Sequence, residues 1–366
     1  MDFQKIITRY KQFGGMRLVW QYAKLGALWP AVKAGVRCLV KGQSFKGIYP
    51  EVRKKVEPFF VKRYASLVSG FKFQVSSEGA NTNCTKDTNE IPHQVRNDEP
   101  RTIWWCWLQG VAAAPPIVKA CYNSLIQLTG YSLVVIDHTN WREYVELPGY
   151  IVKKWEKGWI PAAMFSDLLR VELLIKYGGT WIDSTVLCTG VNYRGMRDAQ
   201  KSRENLTENL LNSKLDTNSK LSTLNSQLKH FMNAPLFVFQ YTKEGSVPVS
   251  ISNWFITACR NNEVLRVLRE MLYAYWRDYD CVLDYYIFHL FFAMISKEYP
   301  EQMAAMPYAQ SQRSLVLLHH WGEKFDQRKW DKLSSEVCFH KLAFRVSDSV
   351  KNDKENYYNH ILRIYE

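Results

Sequence analysis

The chain has 366 residues, 47% of them hydrophobic and 14% aromatic, which suits one large α/β domain or two modest ones and excludes a disordered chain. Its formal net charge is +13, yet residues 1–65 hold 14 Lys and Arg against 3 Asp and Glu, so the remainder is close to neutral. The 8 cysteines show no CxxC pair or regular spacing, giving no basis for a zinc or disulfide framework. No run of about 18 uncharged apolar residues exists, so no transmembrane helix is expected. With no signal peptide read in the sequence, reduced thiols in a cytoplasmic protein are expected.

Residues 1–75 read as a basic, amphipathic helical segment. Between Met16 and Val40, Leu18, Val19, Trp20, Tyr22, Leu25, Leu28 and Trp29 interleave with Arg17, Lys24, Lys33 and Arg37. Pro30 is expected to divide this stretch into two helices. A basic helix with Trp and Leu on its other side suits an anionic membrane surface, which residues 1–65 would contact. The alternative is a helix whose apolar side packs on the main domain while its cations face water. Residues 76–100 are polar and read as a linker.

The main domain spans 101–345, with a polar insertion near 198–230 and a tail at 346–366. Thr102 to Leu108 is a compact Ile/Trp run, expected as a buried strand. Pro115-Pro116 opens a helix to about Leu128, and Tyr131 to Ile136 forms a second strand with Asp137 at its end. Residues 141–157 read as short helical pieces. Phe231 to Tyr241 is a strand. Asn253 to Ala258 is expected to begin a helix, with Asn253 as its cap, and Asn262 to Tyr275 to form another. Asp284 to Ile295 is an apolar, aromatic helix that Asp284 would cap. Arg313 to His319 is expected as a last strand; His319 and His320 would then point to opposite faces and not share a metal. Strands alternating with helices make the fold α/β.

Residues 165–190 carry the chemistry. Ser166 is the expected cap of an apolar helix running through Leu168, Leu169, Val171, Leu173, Leu174 and Ile175. Gly178 or Gly179 stops the helix, Thr180-Trp181-Ile182 makes a strand, and Asp183 sits at its carboxyl end, where open α/β sheets place ligands. Asp167 and Arg170 are three residues apart and share a helix face. They read either as an internal ion pair that fixes the helix or, with Asp183, as a polar pocket that handles anions.

Ser166-Asp-Leu-Leu-Arg170, Lys176-Tyr-Gly-Gly179 and Trp181-Ile-Asp-Ser-Thr185 together resemble the capsular polysaccharide synthesis family. That family looks like a branch of glycosyltransferase family 32 and its relatives, which include the large clostridial glucosylating toxins. Ile103 to Gly110, Ile251 to Ala258, Asp284 to His289 and Phe339 to Leu342 extend the resemblance over about 101–345. It implies a GT-A fold with a mixed, mostly parallel sheet, and a nucleotide-sugar donor at the strand carboxyl ends. By position, Trp107 would stack on the nucleobase, with Trp104 and Trp105 competing for that role. Asp167 would bind sugar or ribose hydroxyls, and Arg170 and Lys341 the sugar or diphosphate. Asp183 would open an Asp-x-Asp-type site for Mn²⁺ or Mg²⁺. Thr185 stands where the wider superfamily has its second Asp, and His340 is a further candidate ligand. Asn253 and Asp284 would lie on the acceptor side.

The expected activity is a cytoplasmic, peripheral glycosyltransferase at the inner membrane face. It would move a sugar from a UDP- or GDP-sugar to a growing capsular or other surface polysaccharide, on an oligosaccharide or lipid-linked acceptor, with the retention the wider family suggests. Two alternatives remain. Thr185 is compatible with a catalytically lapsed fold acting as an assembly subunit. The net charge is compatible with nucleic-acid binding, which ranks below because the basic excess lies outside the apparent catalytic core; no nucleic-acid partner is expected.

Overall fold

Strand β1 (Arg101–Cys106) sends alternate side chains to opposite sides: Ile103 and Trp105 enter one core, Trp104 and Cys106 the other. A computed structural model describes residues 8, 10–40, 49–77, 101–128, 130–189, 229–241 and 250–365. Nearly all of the expected linker at 76–100 and insertion at 198–230 lie outside these residues. Strands β2 (Tyr131–Ile136) and β3 (Gly179–Ile182) pair with β1 in parallel on either side. Beside β3 lies β6 (Ile251–Ala258), antiparallel, and beside β6 lies β5 (Leu236–Gln240), again antiparallel. The order is β2-β1-β3-β6-β5. Four of the five strands therefore point one way and β6 alone is reversed, in keeping with the mixed, mostly parallel α/β sheet read from the sequence. A second, two-stranded sheet pairs β4 (Val186–Cys188) with β7 (Phe339–Lys341).

Helices cover both faces. In chain order they include α1 (Met16–Lys24), α2 (Leu28–Val40), α3 (Tyr49–Ser77), α4 (Pro116–Leu125), α5 (Ala162–Tyr177), α6 (Glu263–Asp278), α7 (Ile287–Glu298), α8 (Ser311–His320) and α9 (Tyr357–Tyr365). Helix α5 lies on β1, β3 and β6 and packs on α6, which packs on α7. The opposite face carries α4 and α9, with α8 against β7.

The Gly178-Gly179 break is sterically required. Gly178 has φ +69, and a Cβ there would meet the Arg260 nitrogen at 2.9 Å. Gly179 has φ +95, and its Cβ would meet the Thr102 carbonyl oxygen at 2.5 Å. Helix α5 can therefore end and β3 begin within two residues, directly against β1.

Four expectations about elements are corrected. Residues 251–258 are a strand, because alternating aromatic and β-branched side chains serve two cores at once; Phe255 enters one and Ile256 the other. Residues 311–320 are a helix, and the buried Ser311, Ser314 and Leu317 recur at helical spacing. Helix α5 starts a turn early, after Pro161, so Ser166 is not its cap; the Ser166 hydroxyl donates to the Ala163 carbonyl at 2.8 Å. The break between α1 and α2 falls at Gly26, with φ +64, and Pro30 sits in the first turn of α2, where its missing N–H costs nothing. The thiols of Cys106, Cys121, Cys188, Cys281 and Cys338 are free and buried, whereas Cys259 is disulfide-bonded, a departure from the all-reduced expectation.

The N-terminal helices are built into the domain. Val52, Val56, Phe60, Tyr64 and Val68 of α3 share a core with Tyr275 of α6 and Phe291 of α7. Three contacts seize three consecutive residues. The Val282 amide donates to Phe13 O at 3.0 Å, the Tyr22 hydroxyl donates to Leu283 O at 2.7 Å, and Arg53 holds Asp284. The outer side of α1 and α2 exposes Met16, Trp20, Trp29, Val32, Val36 and Val40. Lys24 lies 3.3 Å above the Trp20 ring and Lys33 lies 5.3 Å above Trp29. No Asp or Glu occurs between Met16 and Val40.

Candidate functional site

The chain leaves β1 toward β2 and returns on the other side of β1 as β3. The carboxyl ends of β1 and β3 therefore mark a topological switch point, where open α/β sheets take their ligands. Trp107 follows β1 and Asp183 follows β3. Because β6 is antiparallel, its amino end comes to this same edge: the Asp183 amide donates to Trp254 O at 2.8 Å, and Asn253 is adjacent.

Arg170, on α5, is the hub. Its Nη2 lies 3.3 Å from Oδ1 of Asp167 and 3.3 Å from Oδ1 of Asp183. The guanidinium also donates to the Asn253 carbonyl, to Ser166 O at 3.3 Å and to Ser166 Oγ at 3.2 Å. Its carbon stands 4.9 Å above the Trp181 ring and 5.9 Å from that of Phe288. A long cation is thus held in one pose. The Asn253 amide donates to Asp167 Oδ1 at 2.9 Å, and the Trp181 indole donates to Asp183 Oδ1 at 2.9 Å.

Lys341 reaches the same edge from β7. The β4–β7 register pairs it with Val186, and the Leu342 amide fixes the strand by donating to Thr185 O at 2.8 Å. The Lys341 ammonium lies 3.3 Å from Oδ2 of Asp183 and donates to the Thr185 hydroxyl. Asp183 thus meets a cation at each carboxylate oxygen, yet its side chain stays 25% exposed and that of Lys341 22%. Both can be reached by a ligand, whereas Asp167 and Arg170 are buried.

Burial pushes Asp167 up to about 7; Arg170 opposes this, the nearby Asp183 charge adds to it, and the Asn253 hydrogen bond opposes it. The edge carries two cations, Arg170 and Lys341, against the reachable Asp183 and the buried Asp167.

The residues expected to hold Mn²⁺ or Mg²⁺ do not form a fitting donor set. Such cations take about six oxygen ligands, of which one or two are protein carboxylates free to coordinate and the rest phosphate or water. Here one carboxylate and one hydroxyl are both occupied by an ammonium group, and a guanidinium stands on the carboxylate's other oxygen. Among the described residues, no three His, Cys, Asp or Glu side chains converge to hold a metal.

The family model for capsular polysaccharide synthesis proteins matches residues 62–202 and 217–361. The chain belongs to the capsular polysaccharide synthesis protein family. Among solved structures, it is similar to the PaToxG glycosyltransferase at 12% identity, over 83% of this chain and 97% of that chain, with a TM-score of 0.36. No curated protein matches it in sequence.

In this capsular synthesis protein, Asp167, Arg170, Asp183, Thr185, Asn253 and Lys341 meet at one edge, but two expected residues do not join them. His340 points to the opposite face of β7 from Lys341, as alternate strand residues must. It is fully buried, its Nε2 lies 3.0 Å from Thr189 Oγ1, and burial pushes it down to about 4, so the ring is neutral. It is not placed to share a metal with Asp183. Asp284, expected on the acceptor side, is instead the buried partner of Arg53; its carboxylate accepts from Arg53 Nε at 2.9 Å and Nη2 at 3.1 Å and from the Tyr286 amide at 2.7 Å.

The three tryptophans at and after β1 sit in different surroundings. The Trp104 indole donates to Gly178 O at 2.9 Å, and Trp105 is fully buried against Tyr122. Trp107 is half-buried, edge-on to Phe344 at 5.5 Å, and its indole nitrogen has no hydrogen-bond partner among the described residues. Sequence reasoning missed Trp181 as a site residue, although its place two residues before Asp183 on a strand put both on one face. It also missed Phe288, which only the packing of α7 brings to Arg170.

Proposed function

We propose that this capsular synthesis protein is a glycosyltransferase that moves a sugar from a UDP- or GDP-sugar to a growing capsular or other surface polysaccharide. The observation that carries this reading is a reachable carboxylate held between two fixed cations, Arg170 and Lys341, at the β1/β3 switch point. Breaking the anomeric C–O bond leaves the electron pair on the departing diphosphate. The acceptor hydroxyl oxygen forms the new glycosidic bond and releases its proton to the departing diphosphate. Cations held in place before the reaction stabilise that leaving charge without reorganising. Lys341 takes this role at the surface, the buried Arg170 adds its charge from behind Asp183, Asp167 with Asn253 fixes Arg170 in place, and the Trp107 face receives the base.

The test is incubation of the full chain with a panel of UDP- and GDP-sugars and oligosaccharide or lipid-linked acceptors. Saturable binding with slow donor hydrolysis or transfer is expected, and the anomeric configuration of the product checks for retention. Absence of binding, hydrolysis and transfer across the panel overturns the reading. Donor binding without turnover, unaffected by Asp183→Ala, assigns the chain to a lapsed assembly subunit instead.

The acceptor side is proposed to lie at an anionic bilayer. Exposed tryptophans flanked by lysines, on helices free of carboxylates, match the chemistry of a lipid headgroup region. Flotation with phosphatidylglycerol-containing vesicles should capture the protein, and the Trp20→Ala, Trp29→Ala double variant should lose that recruitment while keeping its melting temperature. Equal flotation of variant and parent overturns this part.

A further inference from the structure

We propose that the Lys341 ammonium occupies the position a divalent cation would take between Asp183, Thr185 and a donor diphosphate, so that the nucleoside diphosphate is bound without metal. The inference rests on the nucleotide-sugar reading and deepens it.

Lys341 is not a loose surface lysine. Its backbone lies in register with Val186, and the Thr185 carbonyl receives the Leu342 amide across the same turn. The strand therefore delivers the ammonium to the turn between β3 and β4 that holds Asp183 and Thr185. There it contacts Asp183 Oδ2 at 3.3 Å and donates to the Thr185 hydroxyl, the two side chains a metal would need. The second oxygen of Asp183 is taken by Arg170, itself fixed by Ser166 and Asn253.

A divalent ion entering here would add two positive charges beside two existing cations, with one reachable carboxylate to balance them. It would also have to expel an ammonium that no other described carboxylate is placed to receive. A diphosphate meets the reverse situation, since the reachable Lys341 and the Arg170 behind Asp183 both attract its negative charge. Thr185 now has a role: a hydroxyl accepts from Lys341 without adding the negative charge that would attract a metal.

The experiment is calorimetric titration of UDP and of GDP into the full chain, once in EDTA and once in Mn²⁺ or Mg²⁺. At least one nucleotide should bind in EDTA with an affinity the metals leave unchanged. Lys341→Ala should weaken that binding by about tenfold or more, the loss expected for one charged contact. Lys341→Arg, which keeps a cation on the strand, should retain most of it. In Lys341→Ala, freed of the ammonium, Mn²⁺ should restore part of the affinity. A readout without nucleotide is the electron paramagnetic resonance signal of Mn²⁺, which wild type should leave free.

Nucleotide binding that disappears in EDTA and returns with Mn²⁺ overturns the inference and leaves the nucleotide-sugar reading standing. Stoichiometric Mn²⁺ bound by wild type and lost in Asp183→Ala overturns it as well. Failure of UDP and GDP to bind under either condition overturns the nucleotide-sugar reading, and this inference with it.

Discussion

Two groups of charges are withdrawn from water in this protein, and they are built differently. Arg53 and Asp284 form a closed pair, one cation and one carboxylate, with side chains 8% and 0% exposed. Two guanidinium nitrogens and a backbone amide occupy the carboxylate, and the pair ties α3 to the turn before α7. At the sheet edge, Arg170 is shared between two carboxylates, Asp183 is shared between two cations, and Asp183 and Lys341 stay in reach of solvent. A pair that only holds structure can satisfy every hydrogen bond internally. A binding site must leave charge unspent on one side. The two regions also touch: residues 282–284, gripped by the N-terminal segment, lead directly to Tyr285, which feels the charges of Asp167 and Asp183, and to Phe288 beside Arg170.

The comparison is broken most forcefully at the closed pair. Arg53→Met should destabilise the fold by about 3–5 kcal/mol in urea unfolding, because the buried Asp284 carboxylate is left without its cation. Adding Asp284→Leu should recover much of this loss, and no recovery would show that Arg53 acts through other contacts. At the open cluster the same kind of change should strike activity instead. Asp183→Asn should lower transfer by about 10²-fold or more, as loss of one preorganised electrostatic group does, with little change in unfolding free energy. Equal stability losses in Arg53→Met and Asp183→Asn would erase the distinction drawn between the regions.

Asn253→Leu should fall between these. It removes the amide donor on a buried carboxylate and should cost about 1–3 kcal/mol of stability, with a weaker nucleotide affinity that calorimetry would read. The last effect concerns pH, because Arg170 and Asn253 offset only part of the burial of Asp167. Burial raises this carboxyl from 3.8 to about 7 in the folded chain, so between those values the folded state binds more protons than the unfolded state. The Asp167 contribution therefore favours folding most at low pH and is lost as pH rises from about 4 to about 7. Asp167→Asn, which keeps the shape and removes the titration, should flatten that fall in stability relative to wild type.

Much of the fold was legible locally. The helix–Gly-Gly–strand–carboxylate succession at 165–183 needs only short-range rules: an apolar helix, two glycines with positive φ, then strand formers. The elements misread were those whose neighbours decide them. Residues 251–258 hold aromatic and β-branched side chains that are buried on both sides of a central strand, so they lack the alternation that marks a half-exposed one. Helix α8 is short, and only its buried face against β7 reveals its period. His340 and Lys341 are adjacent in sequence, yet the pleat separates them, one into the core and the other onto Asp183.

What the sequence determined by itself is the chemistry available: Asp167, Arg170 and Asp183 within one helix–strand unit, and a basic N-terminal segment rich in Trp. These are local spacings, and spacing sets which groups a single element can present together. Only the tertiary structure decided which distant groups complete the site. The reversed strand β6 brought Asn253 to Asp167, and β7 placed Lys341 where a metal was expected. The N-terminal helices took Asp284 for their own anchor. Those choices depend on strand order and register, which arise from how two cores are filled at once and not from any one stretch of chain.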